Sequence, residues 1–184
     1  MIWELPESVQ IGNSEYSINA DYRRILEIIQ KLSDANESAI IKILVALAMF
    51  YPDFDRIPDE LYMEAAEKMM WFISCGEESD GQRHPKLIDW EQDYKLIVAD
   101  INKVAGKDVR GEPFLHWWTF ISWFNGIGEG QLSFVVGLRD KLRRGKKLST
   151  PEREFYKKNR ALVDFKRVYT EEEEDFLNKW IGKA

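Results

Sequence analysis

The side chains best suited to chemistry in this sequence are one cysteine and two histidines, because thiols and imidazoles serve as nucleophiles, general bases and metal ligands. Cys75 comes at the end of an apolar helix face and is predicted to be a small buried residue. His116 stands within an apolar stretch and is predicted to be a hydrogen-bonded core residue, with catalysis as the alternative. Catalysis would require a positioned partner and an activated group, and the sequence identifies neither. We therefore expect no catalytic residue and no enzymatic activity.

The second histidine, His84, follows three acids in a polar loop rich in turn formers, residues 77–86. Glu77, Glu78 and Asp80 together with His84 resemble a set of metal ligands, but their spacing is irregular, so a solvated acidic loop is the favoured interpretation. The sequence has no phosphate loop, dinucleotide fingerprint, zinc-ligand spacing or nucleophile elbow. It therefore predicts neither a metal site nor a cofactor.

The segment LHWWTFISWFNG, residues 115–126, concentrates three tryptophans and two phenylalanines. One stripe at helical spacing comprises Trp117, Phe120, Ile121 and Phe124. The remaining tryptophans of the segment point elsewhere, so the helix is predicted to be enclosed as the hub of a bundle. A groove that leaves some rings for a partner is the alternative, and base stacking is disfavoured because no Arg or Lys is interleaved. The aromatics assigned to the core or to such a groove are Trp71, Trp117, Trp118, Phe120, Trp123 and Phe124.

Start and stop signals along the chain predict the elements that position these residues. Residues 1–20 alternate around a Gly-Asn-Ser turn and are predicted to form a β-hairpin. Asp21 is a helix cap, and residues 37–51, apolar nearly all round, predict a central helix. Further helices are predicted at residues 58–76, 89–104, 113–126 and 132–144, from 150 onwards with Thr150 as its cap, and at 170–180. The predicted fold is a single all-α domain, residues 1–184, a helical bundle with a short N-terminal β-hairpin and an appended acidic helix at 168–184.

Composition restricts the environment and the partners. The chain has 184 residues and a net charge of −6, which makes duplex nucleic acid a poor partner for the whole protein. A single cysteine excludes an intrachain disulfide. The N-terminal residues lack the pattern of a secretory signal, and the longest apolar run, residues 43–51, is shorter than a membrane span. We expect a cytosolic protein that does not enter a membrane.

The positive charges are concentrated in residues 139–167, which hold twelve Lys or Arg and four Asp or Glu, a net charge of about +8. This segment is either a solvated helix face or a docking surface for an acidic partner, which includes the acidic surface of another copy. Nucleic acid is disfavoured by the global charge. The residues assigned to partner binding are Arg143, Arg144, Lys146 and Lys147.

Six segments occur together in an order and spacing typical of one family. They are LPESVQIGNSEYSINADYR, WFISCG, DWEQDYKLIVADI, LHWWTFISWFNGI, VVGLRDKL and EREFYKKNRAL. Over residues 5–165 the sequence resembles the bacteriophage gene product fifteen family of tailed phages and prophages. Cys75 and His116 belong to the family pattern, although the resemblance implies no catalytic role for either. The acidic segment at 168–184 is not part of the resemblance.

The resemblance implies a role in building the phage tail. Members of the family are similar to the tail assembly chaperones of long-tailed phages, which implies a non-virion helper in the cytoplasm of the bacterial host. Such a helper would keep the tape-measure protein soluble while tail-tube subunits polymerise around it. The implied partners are therefore the tape-measure protein, the tail-tube protein and further copies in a homo- or hetero-oligomer. The alternative is a structural tail component that remains in the virion.

Overall fold

The chain is described by a computed structural model that covers residues 4–77 and 85–166. Within them, a β-hairpin precedes eight α-helices, which confirms the predicted fold class. The elements are β1 (Ser8–Ile11), β2 (Ser14–Ser17), α1 (Tyr22–Leu32), α2 (Ala39–Phe50), α3 (Tyr62–Ile73), α4 (Tyr94–Ala105), α5 (Trp117–Asn125), α6 (Gln131–Arg143), α7 (Thr150–Lys158) and α8 (Arg160–Val163). The appended helix predicted at 168–184 lies outside the described residues, as does His84.

The hairpin and the helices share one hydrophobic core. β1 pairs antiparallel with β2, and Val9 and Ile11 on its inner face are buried against the helical part. Gly12 turns the chain between the strands at a φ of 54°, in the left-handed region that glycine enters at low cost. Of the described helices, none has the length and apolar content needed to cross a membrane.

Asp21 begins α1 as predicted and also ties it to the segment that precedes α5. One carboxylate oxygen accepts the backbone N–H of Arg23 at 2.9 Å and the other accepts that of Leu115 at 3.1 Å. The Tyr22 N–H donates to the Leu115 carbonyl at 2.9 Å, so the two segments pair like short strands. This pairing keeps the chain extended after Pro113, and α5 therefore begins at Trp117, four residues later than the sequence predicts.

Other helix starts also differ from the prediction, and α3, predicted from residue 58, begins at Tyr62 after a 3₁₀ turn at Asp59–Leu61. Asp89 caps a turn, and α4 begins only at Tyr94. The helix predicted from Thr150 is capped by Ser149, whose hydroxyl and N–H bond the Glu152 carboxylate in a capping box. The cap of α7 differs from the prediction by one residue, since neighbouring polar residues compete for the same position. Helix α4 begins five residues after the predicted start at residue 89, because residues 90–93 form a turn.

The prediction that the segment 37–51 forms a central helix is wrong for its first half. Leu47 and Phe50 are buried, but near the start of α2 Ile40 is 73% exposed and Ile41 is 52% exposed. Only the second half of α2 meets core partners, such as Phe72 beside Phe50 at a ring distance of 5.4 Å. A helix that is apolar all round has no polar face, so its sequence does not reveal which end protrudes.

A buried ion pair joins the second half of the bundle. Arg139 on α6 and Asp93, at the start of α4, are 5% and 0% exposed. Arg139 Nη1 and Nη2 donate to the two carboxylate oxygens of Asp93 at 2.6 and 2.9 Å. The remaining guanidinium hydrogens go to the carbonyls of Leu87, Leu162 and Val163 at 2.9, 3.0 and 2.7 Å. All five donors are therefore used, which offsets the large cost of burying the charge.

A second buried acid, Asp100 of α4, supports the start of α6. Its Oδ2 accepts the backbone N–H of Leu132 at 3.1 Å, and its Oδ1 accepts Lys103 Nζ at 2.5 Å. The Asp100 side chain therefore caps the N-terminus of α6 although it belongs to α4. Gly130 makes the close approach feasible, because a Cβ at that position would lie 2.6 Å from Asp100 Oδ2.

Replacement of Arg139 should destabilise the fold strongly. We expect Arg139→Met to lower the free energy of unfolding by about 3–5 kcal/mol, because it leaves the Asp93 carboxylate buried without its partner. The control is Arg144→Met at the C-cap of the same helix, where the guanidinium is exposed and the expected loss is below about 0.5 kcal/mol. Urea denaturation measures both. Equal losses in the two variants would contradict the assignment.

The close approach of Gly130 to Asp100 can be tested by comparing two glycines in the segment before α6, Gly130 and Gly128. Gly130→Ala should cost about 1–3 kcal/mol of unfolding free energy, since the new methyl group collides with the Asp100 carboxylate. Gly128→Ala is the matched control, because nothing lies within 4 Å of its Cβ position. Thermal denaturation of the two variants should separate them clearly. A Gly130→Ala protein as stable as its control would show that α6 does not depend on this approach.

Candidate functional site

The two most distinctive motifs of the sequence, WFISCG and LHWW, meet in space. The first forms the end of α3 and the second forms the start of α5. The Trp71 and Trp118 rings lie 5.6 Å apart edge to face, and the Phe72 ring lies 5.5 Å from that of His116. We call this contact the aromatic junction, defined by Trp71, Phe72, His116, Trp117 and Trp118.

Hydrogen bonds show what the aromatic junction does. Trp117 Nε1 donates to the carbonyl of Ile73 at 2.9 Å, and Trp118 Nε1 donates to that of Phe72 at 2.9 Å. The two preceding carbonyls of α3 accept backbone N–H groups from residues 74 and 76. All four terminal carbonyls of α3 thus have donors, although a helix leaves them without partners of its own. The indoles contribute apolar surface, the donor for the Ile73 carbonyl and a second donor for that of Phe72.

His116 caps α5 instead of standing inside it. Its Nδ1 accepts the backbone N–H of Trp118 at 3.1 Å, so Nε2 carries the hydrogen and donates to the Pro6 carbonyl at 3.0 Å. The side chain is 4% exposed, as expected for a hydrogen-bonded core residue. Both ring nitrogens are occupied by the backbone, so this arrangement presents no general base to a substrate.

Cys75 occupies the left-handed position after α3, at a φ of 56°. Its N–H bonds the Phe72 carbonyl and the Gly76 N–H bonds that of Trp71, which together form a Schellman turn. Burial, and to a smaller degree the nearby Glu77, raises the pKa of the Cys75 thiol to about 11. The thiolate is therefore scarce at neutral pH, which gives a poor nucleophile or metal ligand.

Of the six aromatic residues predicted to lie in a core or a groove, two are buried and four are half-buried. Trp117 and Phe120 are buried. The half-buried members are Trp71, Trp118, Trp123 and Phe124. Trp90, which the sequence analysis did not single out, packs on Phe124 at a ring distance of 5.0 Å and on Trp117 at 6.1 Å. Trp90 lies in the turn before α4, outside any periodic pattern, so the sequence does not indicate its contact with the core.

The four cations predicted to bind a partner lie at the end of α6 and in the loop after it. Arg143 and Arg144 are exposed and both contact Asp140, at 3.0 and 2.9 Å, and these bonds lower the pKa of that carboxyl. Lys146 and Lys147 are exposed. Arg139, counted with this basic segment from the sequence, does not belong to the surface because it is buried. The structure thus places two of the four predicted cations, Arg143 and Arg144, beside one acid.

The first half of α2 offers a different kind of surface. We name it the α2 apolar end and define it as Ile40, Ile41, Ile43 and Leu44, all exposed. The nearest cation in sequence, Lys42, donates to the Asp34 carbonyl at 2.7 Å. A protruding aliphatic helix end of this kind is typical of surfaces that bind another protein.

Neither of the chemical sites considered from sequence is assembled in the part of the chain that the structure describes. No cluster of three or more His, Cys, Asp or Glu side chains suited to a metal ion occurs there. His84, Glu78 and Asp80 lie outside it. The residues that the structure groups in the aromatic junction pack against one another and satisfy backbone groups.

The aromatic junction predicts a specific cost for losing an indole nitrogen. Trp117→Phe should lower the unfolding free energy by about 1–3 kcal/mol, because the Ile73 carbonyl loses its donor. Trp123→Phe is the control, since its indole nitrogen donates no hydrogen bond among the described residues, and we expect a loss below about 1 kcal/mol. Chemical denaturation measures the difference. A larger loss at residue 123 would refute the capping role.

Comparison with known proteins identifies the family but no individual relative. A family model described as "Bacteriophage Gp15 protein" matches residues 1–165, which includes every described element. Searches of curated proteins and of solved structures gave no significant match. Because the family match spans nearly the whole chain and includes both motifs of the aromatic junction, the chain belongs to the bacteriophage Gp15 protein family.

Proposed function

We propose that this phage protein is a non-enzymatic tail assembly chaperone that binds the tape-measure protein in the cytoplasm of the bacterial host. Membership in a bacteriophage family supports a role in phage biology. The finer assignment rests on the similarity of the family to tail assembly chaperones and on one structural observation. That observation is the α2 apolar end, which leaves four adjacent aliphatic side chains exposed.

The α2 apolar end suits a client with an apolar helix or strand. Burying an aliphatic side chain contributes about 1.5–3 kcal/mol, so a few such contacts hold a client segment without a deep pocket. Several copies acting on one long client would increase the overall affinity through avidity. In this proposal the basic residues Arg143, Arg144, Lys146 and Lys147 provide a second contact, for an acidic surface of the client, of the tail-tube protein or of another copy.

The proposal assigns no catalytic step to the chain. Two observations support it: the raised pKa of Cys75 and the engagement of both His116 nitrogens by backbone groups. A chaperone of this kind would act by covering apolar client surface until the tail polymerises. The chemistry it needs is reversible binding, which the exposed aliphatic residues supply.

Co-expression with the tape-measure protein encoded by the same phage tests the proposal. The wild-type chain should form a complex and raise the soluble fraction of the client. Ile40→Lys/Ile41→Lys should weaken binding at least about tenfold, because two apolar contacts are lost. Met63→Lys/Met70→Lys is the matched control, since these methionines on α3 are 73% and 50% exposed, close to the 73% and 52% of the isoleucines.

Two outcomes would overturn this function. Absence of any complex and of any change in client solubility would exclude binding of the tape-measure protein. Abundant stoichiometric copies in purified phage particles, measured by mass spectrometry, would replace the helper with the alternative, a structural component retained in the tail. Equal effects of the two double variants would leave the chaperone role standing but remove the α2 apolar end from it.

A further inference from the structure

An open groove of about 330 Å³ lies between α6, α7 and α8, away from the aromatic junction. Its apolar wall includes Phe134, Val135, Phe155 and Leu162. Phe134 is 41% exposed, although its ring contacts that of Phe155 edge to face at 4.9 Å. We call this feature the α6–α7 groove. Its size matches one or two large apolar side chains.

The described chain leaves the bundle close to this groove. Leu162 is part of the groove wall, and Lys166 follows four residues later. Gln92 holds the exit in place, because its Nε2 donates to the Asp164 carbonyl at 2.8 Å and its Oε1 accepts the Lys166 N–H at 2.9 Å. Four more residues, extended at about 3.5 Å each, reach residue 170. The following segment is therefore tethered within reach of the groove.

The sequence of that segment complements the groove and its surroundings. Residues 170–175 read TEEEED, and four large apolar residues follow. At helical spacing these apolar residues share one side, and they are Phe176, Leu177, Trp180 and Ile181. The helix α7, which carries Phe155, also carries the exposed cations Lys157 and Lys158. In sequence, an acidic run followed by an apolar stripe thus matches a surface that has cations beside an apolar groove.

We propose that residues 170–181 dock onto the α6–α7 groove of the same chain. The apolar stripe fills the groove against the exposed surfaces of Phe134 and Phe155, and the acidic run pairs with the lysines of α7. The α2 apolar end is the competing surface on this chain, but it offers no match for five acids, since Lys42 already donates to a carbonyl. This docking is independent of whether the chain binds a tail protein.

Zero-length carbodiimide crosslinking of the full chain tests the proposal, because it joins a carboxylate to a lysine only at ion-pair distance. We expect crosslinks from residues 171–175 to Lys157 or Lys158. They should weaken at about 1 M salt, where the Debye length falls to about 3 Å. In an equimolar mixture of unlabelled and 15N-labelled protein, each crosslinked peptide pair should carry a single isotope, which shows that the contact is within one chain.

Matched variants in the segment complete the test. Phe176→Ser/Leu177→Ser/Trp180→Ser should abolish the crosslinks, because the apolar stripe no longer anchors the acids. Asn178→Ser, on the opposite side of the same helical pattern, should leave them intact. Absence of crosslinks in the unmodified chain, mixed-isotope pairs, crosslinks to Lys42 instead, or crosslinks that survive the triple variant would each overturn the proposal.

Discussion

The arrangement of the second half of the bundle depends on one buried guanidinium. Arg139 uses all five of its N–H donors on a carboxylate and three backbone carbonyls. A buried charge of this kind is tolerated only when every partner is present, so α6 cannot pack without Asp93 and without α8. The short α8, only four residues long, has little stability of its own. Its position is set by the Leu162 and Val163 carbonyls that the guanidinium requires.

In the first half of the bundle, neutral indole groups provide hydrogen-bond donors for the carbonyls at the end of a helix. Helix α3 ends against the start of α5, where the carbonyls of Phe72 and Ile73 are partly buried. The indole nitrogens of Trp117 and Trp118 complete these carbonyls while their rings fill the space between α3 and α5. A phenylalanine would supply the ring without the donor, and an asparagine would supply a donor without the ring. The aromatic junction therefore explains the paired motifs through packing and hydrogen bonding, without a ligand.

Local signals in the sequence predict those features that depend only on neighbouring residues, such as helix ends. Asp21 and Thr150 mark helix starts by capping chemistry, and the observed caps are Asp21 itself and Ser149, one residue before Thr150. The contact between Arg139 and Asp93 spans 46 residues, and no local pattern reveals it. From the sequence, Arg139 was one cation in a basic segment. Charge counting cannot separate a buried, paired guanidinium from exposed ones such as Arg144.

Burial and exposure of apolar helices show even more clearly that a local sequence pattern does not reveal contacts between distant elements. The stripe of α5 predicted that Trp117 would be buried, because large residues at helical spacing need a partner face. The α2 apolar end had an equally strong apolar signal and yet is exposed. Burial of a wholly apolar helix depends on how much of its length the other elements cover, which is a property of the assembled bundle. The α2 apolar end therefore became recognisable as a surface only in the structure, despite its strong apolar signal.

The two surfaces outside the core differ in range, and this difference bears on how binding would proceed. Charges such as Lys146 and Lys147 act over about a Debye length, roughly 8 Å in physiological salt, and guide an encounter before contact. The α2 apolar end acts only once water has been displaced, and it then slows dissociation. A protein that must hold a partner and later release it benefits from separating these tasks. In the proposed function, attraction by charge would set the rate of encounter, while the modest area of four aliphatic side chains would keep the contact reversible.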